Sequence, residues 1–103
     1  MFLVVAGQSL ANKTTLKSSI KRLISYSNYG NGDVFVTLES NGLICNSGYF
    51  INKDSQGFET NYSMLLSAYH AGIEVILTGS DQDTKWQGSK STVCELYSVE
   101  LEK

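Results

Sequence analysis

Apolar positions along the chain change their period once, and that change marks the centre of the fold. In TNYSMLLSAYHAGIEVIL, residues 60–77, Tyr62, Leu65, Leu66 and Tyr69 fall at i, i+3, i+4 and i+7, the spacing that stacks side chains on one face of a helix. These four are the expected core face. Ser63, Ser67 and His70 form a neighbouring polar stripe, so the helix should be half buried. Thr60 or Asn61 offers a side-chain oxygen to cap its start, and Gly72 can end it in the left-handed conformation. The period then becomes two: Ile73, Val75 and Leu77 alternate with Glu74 and Thr78, which predicts a strand over 73–79. Ile76 breaks the alternation and implies a partly covered second face.

Upstream, residues 12–27 carry both periods. Ile20, Ile24 and Tyr26 fit one face of a strand over 19–27, interrupted by Arg22. The cluster NYGNG at 28–32 is a hairpin-type turn in which Gly30, Asn31 and Gly32 tolerate positive φ. Residues 33–39 form the clearest strand, with Val34, Val36 and Leu38 on one face and Phe35 and Thr37 on the other. Asn41 and Gly42 turn the chain, 48–52 reads as a short strand, and 53–57 is a loop. After the central helix and strand comes a polar loop, 79–91, and then a last strand over 92–101. There Cys94 and Leu96 are out of phase with Val99 and Leu101, which predicts a β-bulge near Tyr97 and Ser98. The resulting order, β-β-β-α-β-β, makes the chain mainly β with one helix. It fits an OB-like five-stranded barrel and equally an α+β antiparallel sheet with one packed helix.

A length of 103 residues suits a single domain. We assign it to 12–103 and set aside 1–11 as an apolar N-terminal segment. Ser9-Leu10-Ala11 has the small-x-small pattern of a signal-peptidase site, although the apolar run at 2–6 is short and no Lys or Arg precedes it. Four large apolar side chains in 2–6 need cover, so this segment is expected to add a strand to a sheet edge at the interface of a homo-oligomer. No apolar run is long enough to span a membrane. The net charge of −2 and a pI near 5.2 favour neither nucleic acid nor an anionic surface. Cys45 and Cys94 can pair, which implies an oxidising compartment, or remain buried thiols in a cytosolic protein.

Candidate chemistry is sparse. His70 lies three residues after Ser67, but no nucleophile elbow or third orienting group accompanies them, so an enzyme is not expected. Asp81 and Asp83 offer carboxylates without the further ligands of a calcium loop. No metal or cofactor is expected. Lys13, Lys17, Lys21 and Arg22 gather half of the eight basic residues; a solvated strand face explains them more simply than a nucleic-acid groove. In an OB-like barrel, Tyr29 lies in the loop between strands one and two, and Trp86, with Asp81 and Asp83, in the loop between strands four and five. Those two loops bind oligonucleotides and oligosaccharides in this fold. Tyr29 and Trp86, with Asp81 and Asp83 beside them, are therefore the candidate ligand-binding residues. Trp86 has a second reading, as a plug folded over the barrel end.

The segments YGNGDVFVTLE, CNSGYFI, the Gly57-Phe58 pair, YSMLLSAYHAGIEVIL, WQGS and CELYSVEL resemble a group of small exported gammaproteobacterial proteins of unassigned function, over about residues 19–101. The resemblance implies export to the periplasm or medium and a disulfide, with Cys45 and Cys94 at the matching positions. In layout the chain is also similar to the B subunits of AB5 toxins such as subtilase cytotoxin, secreted OB-fold pentamers that bind glycans, although no sugar-binding motif transfers. Together these imply a noncatalytic, exported binding module for a glycan or a protein surface. The alternative is a cytosolic nucleic-acid-binding or regulatory protein.

Overall fold

A computed structural model describes residues 12–14, 16–80 and 86–103. The apolar stretch 2–6, with its expected place at a sheet edge, lies outside the described residues. The strands are β1 (Asn12–Thr14), β2 (Ile20–Ser25), β3 (Val34–Leu38), β4 (Tyr49–Ile51), β5 (Ile76–Ser80) and β6 (Cys94–Glu100), with one main helix, α1 (Phe58–Ala71), between β4 and β5. The expected order β-β-β-α-β-β is therefore present in β2 to β6, and the short β1 is added at one end. The strands form a single mixed sheet in the order β1-β5-β6-β4-β3-β2. Every pairing is antiparallel except β4 with β6, so a purely antiparallel sheet is excluded. The sheet is not closed into a barrel by a continuous ladder. Among the described residues one isolated antiparallel bridge, Ser18 to Val75, joins the chain before β2 to the chain before β5, with N to O distances of 3.0 and 2.9 Å.

The main core lies on one face of the sheet, beneath α1. Val34, Val36 and Leu38 point into it, together with Tyr49, Ile51, Leu65, Ala68, Val75 and Leu77. Four sequence expectations change here. Tyr69 is 50% exposed, and Ala68, three residues after Leu65, takes the buried place; the apolar stripe is thus narrower than the four-residue pattern suggested. The helix begins two residues earlier than Thr60, and its start at Gly57 has no side-chain cap. Ile73 is half exposed because it closes the helix instead of opening the strand. Gly72 adopts φ 70°, and the N–H groups of Gly72 and Ile73 bond back to the carbonyls of Tyr69 and Ala68, a Schellman termination. Finally, Ile20 and Ile24 do not share a face. The register with β3 slips between Ile20 and Arg22, so Lys21 bulges; Ile20 and Leu23 meet the main core, while Ile24 faces the opposite side with Tyr26.

The bulge expected in the last strand is present. Thr78 pairs with Ser98 and Gly79 with Leu96, leaving Tyr97 as the extra residue that twists β6. The half-buried Ile76 agrees with a partly covered second face. β1 was not legible from pattern, since Asn-Lys-Thr has no apolar period.

Cys45 and Cys94 form a disulfide, with an S–S distance of 2.09 Å and Cα atoms 5.5 Å apart. It ties the β3–β4 loop to the start of β6 and is consistent with an oxidising, extracytoplasmic compartment. Among the described residues no helix is long and apolar enough to cross a membrane.

Tyr49 is the largest fully buried side chain, and its hydroxyl donates to the Asn41 carbonyl at 3.3 Å. Its ring passes so close to Gly79 that a Cβ there would sit 2.7 Å from ring carbon Cε2. Burial disfavours the phenolate and pushes the pKa from 10.0 up to about 12. The native state therefore holds this proton more tightly than the unfolded chain does. The contribution of Tyr49 to stability is therefore constant below pH 10 and falls as pH rises from 10 to 12, by about 3 kcal/mol in total. Alkaline titration at the phenolate absorbance band should show one of the six tyrosines ionising late, near pH 12. Tyr49→Phe should remove that late step, and its persistence in the variant would assign it elsewhere.

Candidate functional site

A second, smaller apolar cluster occupies the other face of the sheet. It arises from strand alternation: while Val34 and Val36 point into the main core, Phe35 between them points outward, as does Phe50 between Tyr49 and Ile51. Phe50, Trp86 and Val93 are buried there, with Tyr26 and Phe35 packed against them. Two large aromatics on the nominal solvent face were the sequence signal for this cluster. Read singly, each passed for an ordinary strand residue.

Trp86 is the centre of the cluster and is only 5% exposed. Its ring lies nearly parallel to those of Phe35 and Phe50, at 17° to each, with centroids 5.4 and 6.0 Å away. Its indole N–H donates to the Gly30 carbonyl at 3.1 Å, so the one polar atom of the side chain is satisfied in burial. Trp86 is thus buried, but in the cluster on the sheet face opposite the main core and not as a plug over a barrel end. Two glycines make room for it. A Cβ on Gly88 would stand 2.6–2.7 Å from the indole carbons, and one on Gly30 would stand 2.7 Å from Cε2.

The turn that carries Gly30 has an unusual backbone for a local reason. Gly30, Asn31 and Gly32 have φ of 61°, 69° and 75°, a left-handed turn spanning Tyr29–Gly32 that the sequence anticipated. It aims the Gly30 carbonyl at Trp86 and lifts the Tyr29 ring to the surface, where it is 57% exposed. The Tyr29 hydroxyl donates to the Gly88 carbonyl, and its ring meets Trp86 edge-on at 6.0 Å and Tyr26 at 4.9 Å. Beyond the turn, buried Asp33 accepts the Lys53 N–H at 2.9 Å and fixes the end of β4.

The β2–β3 loop and the segment after residue 85 therefore converge and are locked together by two hydrogen bonds. Between them is an open cleft of about 230 Å³, lined by Ile24, Phe35, Val93 and the rings of Tyr26, Tyr29 and Trp86, together with polar residues that include Arg22, Ser47, Ser89 and Ser91. Ser47 was not singled out in the sequence, and Arg22 was read there as part of a solvated basic strand face; the pairing of β4 with β6 and the bulge at Lys21 bring both to the cleft. Asp81 and Asp83 lie outside the described residues. Ser67 and His70 are exposed on α1, and neither lines the cleft. Among the described residues no group of three or more His, Cys, Asp or Glu side chains could hold a metal.

The basic cluster is divided by the fold. Arg22 belongs to the cleft, whereas Lys17 lines a separate groove with Ile73 and Leu101. Comparison of the sequence with models of known families and with characterised proteins found no match.

Proposed function

We propose that this chain is an exported, noncatalytic binding module with an OB-like barrel, secreted or periplasmic, and that it takes a saccharide in the cleft between the two loops. The barrel reading is supported by the parallel β4–β6 pair and by the Ser18–Val75 bridge, which brings the two ends of the five-strand set together. Export is supported by the disulfide. The observation that carries the ligand reading is the cleft itself: a half-exposed tyrosine ring, prelocked by its own hydroxyl, beside a rim of hydroxyls and one guanidinium. An aromatic face stacks on the apolar side of a sugar ring, and the rim groups exchange hydrogen bonds with its hydroxyls. Trp86 in this reading is framework, and Tyr29 is the contact residue. A nucleic-acid role is less well supported, because Lys17 and Arg22 serve different depressions and form no continuous basic track.

The test is a glycan array followed by titration of the bound sugars, with Trp86 emission as a reporter from beneath the cleft. Tyr29→Ala should weaken binding at least about tenfold, the scale of one lost aromatic contact. Ser67→Ala and His70→Ala should leave it unchanged. Absence of any retained glycan, or hits indifferent to Tyr29→Ala, would reject the saccharide reading.

A further inference from the structure

Arg22 is the one charged side chain among the described residues that line the cleft, and strand register puts it there. β2 slips against β3 at Lys21, so Arg22 lies opposite Thr37 and shares the face away from the main core with Ile24 and, just past the strand, Tyr26. This row has a cationic end and an aromatic end. Four residues at ~3.3 Å each separate the backbones of Arg22 and Tyr26 by roughly 13 Å. Tyr29 packs on Tyr26 at the aromatic end, with ring centroids 4.9 Å apart.

Nothing among the described residues neutralises this guanidinium. The ion pair seen there, Lys53 with Asp54, involves neither Arg22 nor the cleft. The cross-strand neighbour of Arg22 is neutral and already engaged, since the Thr37 hydroxyl accepts from the Asn41 side chain at 2.8 Å. Asp33 is buried and holds the Lys53 N–H. Glu95 is paired with Phe50, but β4 and β3 stand between its strand and β2. The cleft therefore carries one uncompensated positive group, and the Tyr29 hydroxyl is spent on the Gly88 carbonyl. A guanidinium presents paired N–H donors that match two oxygens of a carboxylate or of a sulfate.

We propose that Arg22 makes the cleft selective for acidic saccharides, with a carboxylate or sulfate at Arg22 and a neutral ring stacked on Tyr29. The spacing of the row adds a condition: the two contacts fall on different units, so the ligand is a disaccharide or longer. This inference rests on the saccharide reading above and adds charge and reach to it.

Three forms of one oligosaccharide test it, followed by Trp86 emission: a chain containing a uronic acid, its carboxyl-reduced neutral counterpart, and a sulfated form of that neutral chain. The anionic forms should bind roughly five- to tenfold more tightly than the neutral one, the scale of a charge-assisted contact partly screened at an exposed site. Added salt should shrink the difference. Arg22→Gln should bring the anionic forms down to the neutral level and Arg22→Glu should reverse the preference, whereas Tyr29→Ala should weaken all three and keep their ranking. Unshifted emission of the free variants checks that each keeps the fold. A preference for only one of the two anionic forms supports the proposal and names the anion. Equal affinity for the three forms, or a preference that survives Arg22→Gln, would overturn the charge selectivity and leave the saccharide reading standing. A single uronic acid that binds as tightly as the chain would overturn the two-unit contact. No binding of any form would overturn both readings.

Discussion

Removing the Cys45–Cys94 bond, by a reductant or by replacing both residues with Ala, is expected to cost about 4 kcal/mol of stability. The disulfide closes a loop with a sequence separation of 49 residues, and the chain-entropy relation for a loop of that length gives this value. Against a total of about 5–15 kcal/mol for a domain of this kind, the loss is large enough to lower the melting temperature by roughly 15–30 °C. Geometry makes the effect more than entropic. Both cysteines are buried in the main core, and the bond is the covalent link between the β3–β4 loop and β6. Its loss should also loosen Ser47 at the rim of the cleft. Urea unfolding with and without reductant measures the first effect. A change below about 1 kcal/mol would mean that the loop is already ordered in the unfolded chain or that the bond is strained.

The second large effect is expected at Gly30. An alanine there meets two penalties: a left-handed backbone at φ 61°, which costs an L-residue about 1–2 kcal/mol, and a Cβ driven into the Trp86 indole, an overpacking that costs about 1–3 kcal/mol. Gly42 separates the two. Its φ is 87°, yet nothing lies within 4 Å of its added Cβ, so Gly42→Ala should show the backbone cost alone. The excess loss in Gly30→Ala then reports the clash. Because Trp86 is the only tryptophan, its emission should shift to the red as it is forced from its slot, in Gly30→Ala and not in Gly42→Ala. Trp86→Ala should cost about 3–5 kcal/mol, as large aromatic truncations in a packed cluster do. Equal losses and identical emission in the two glycine variants would show that Trp86 is not held against the turn.

These two sites explain why the cleft exists. The mixed sheet brings the β2–β3 loop near the segment before β6, but proximity alone gives two independent loops. Trp86 enters from one and bonds to the backbone of the other, and Tyr29 returns the bond from the opposite side. Trp86, for which the sequence left contact and burial equally open, is held in the cluster by these bonds. The tyrosine, left half exposed by the same packing, is available for contact.

Local physics determined much of this protein from the sequence alone. The period-3.6 stripe placed α1, and Gly72 placed its end, because only a glycine readily accepts the left-handed cap. The run Gly30-Asn31-Gly32 located the left-handed turn for the same reason, and the phase change between Leu96 and Val99 located the bulge at Tyr97, since a slip of one residue reverses every side chain. The tertiary structure decided what depends on partners distant in the chain. It chose the faces of Ile20 and Ile24 through a register slip against β3, recruited the featureless Asn12–Thr14 as an edge strand, and paired β4 with β6 in parallel. It also selected the buried reading of Trp86. That choice lies in no local pattern, because an indole gains by stacking wherever partners are supplied, and Phe35, Phe50 and the Gly30 carbonyl reach it from segments more than 30 residues away in sequence.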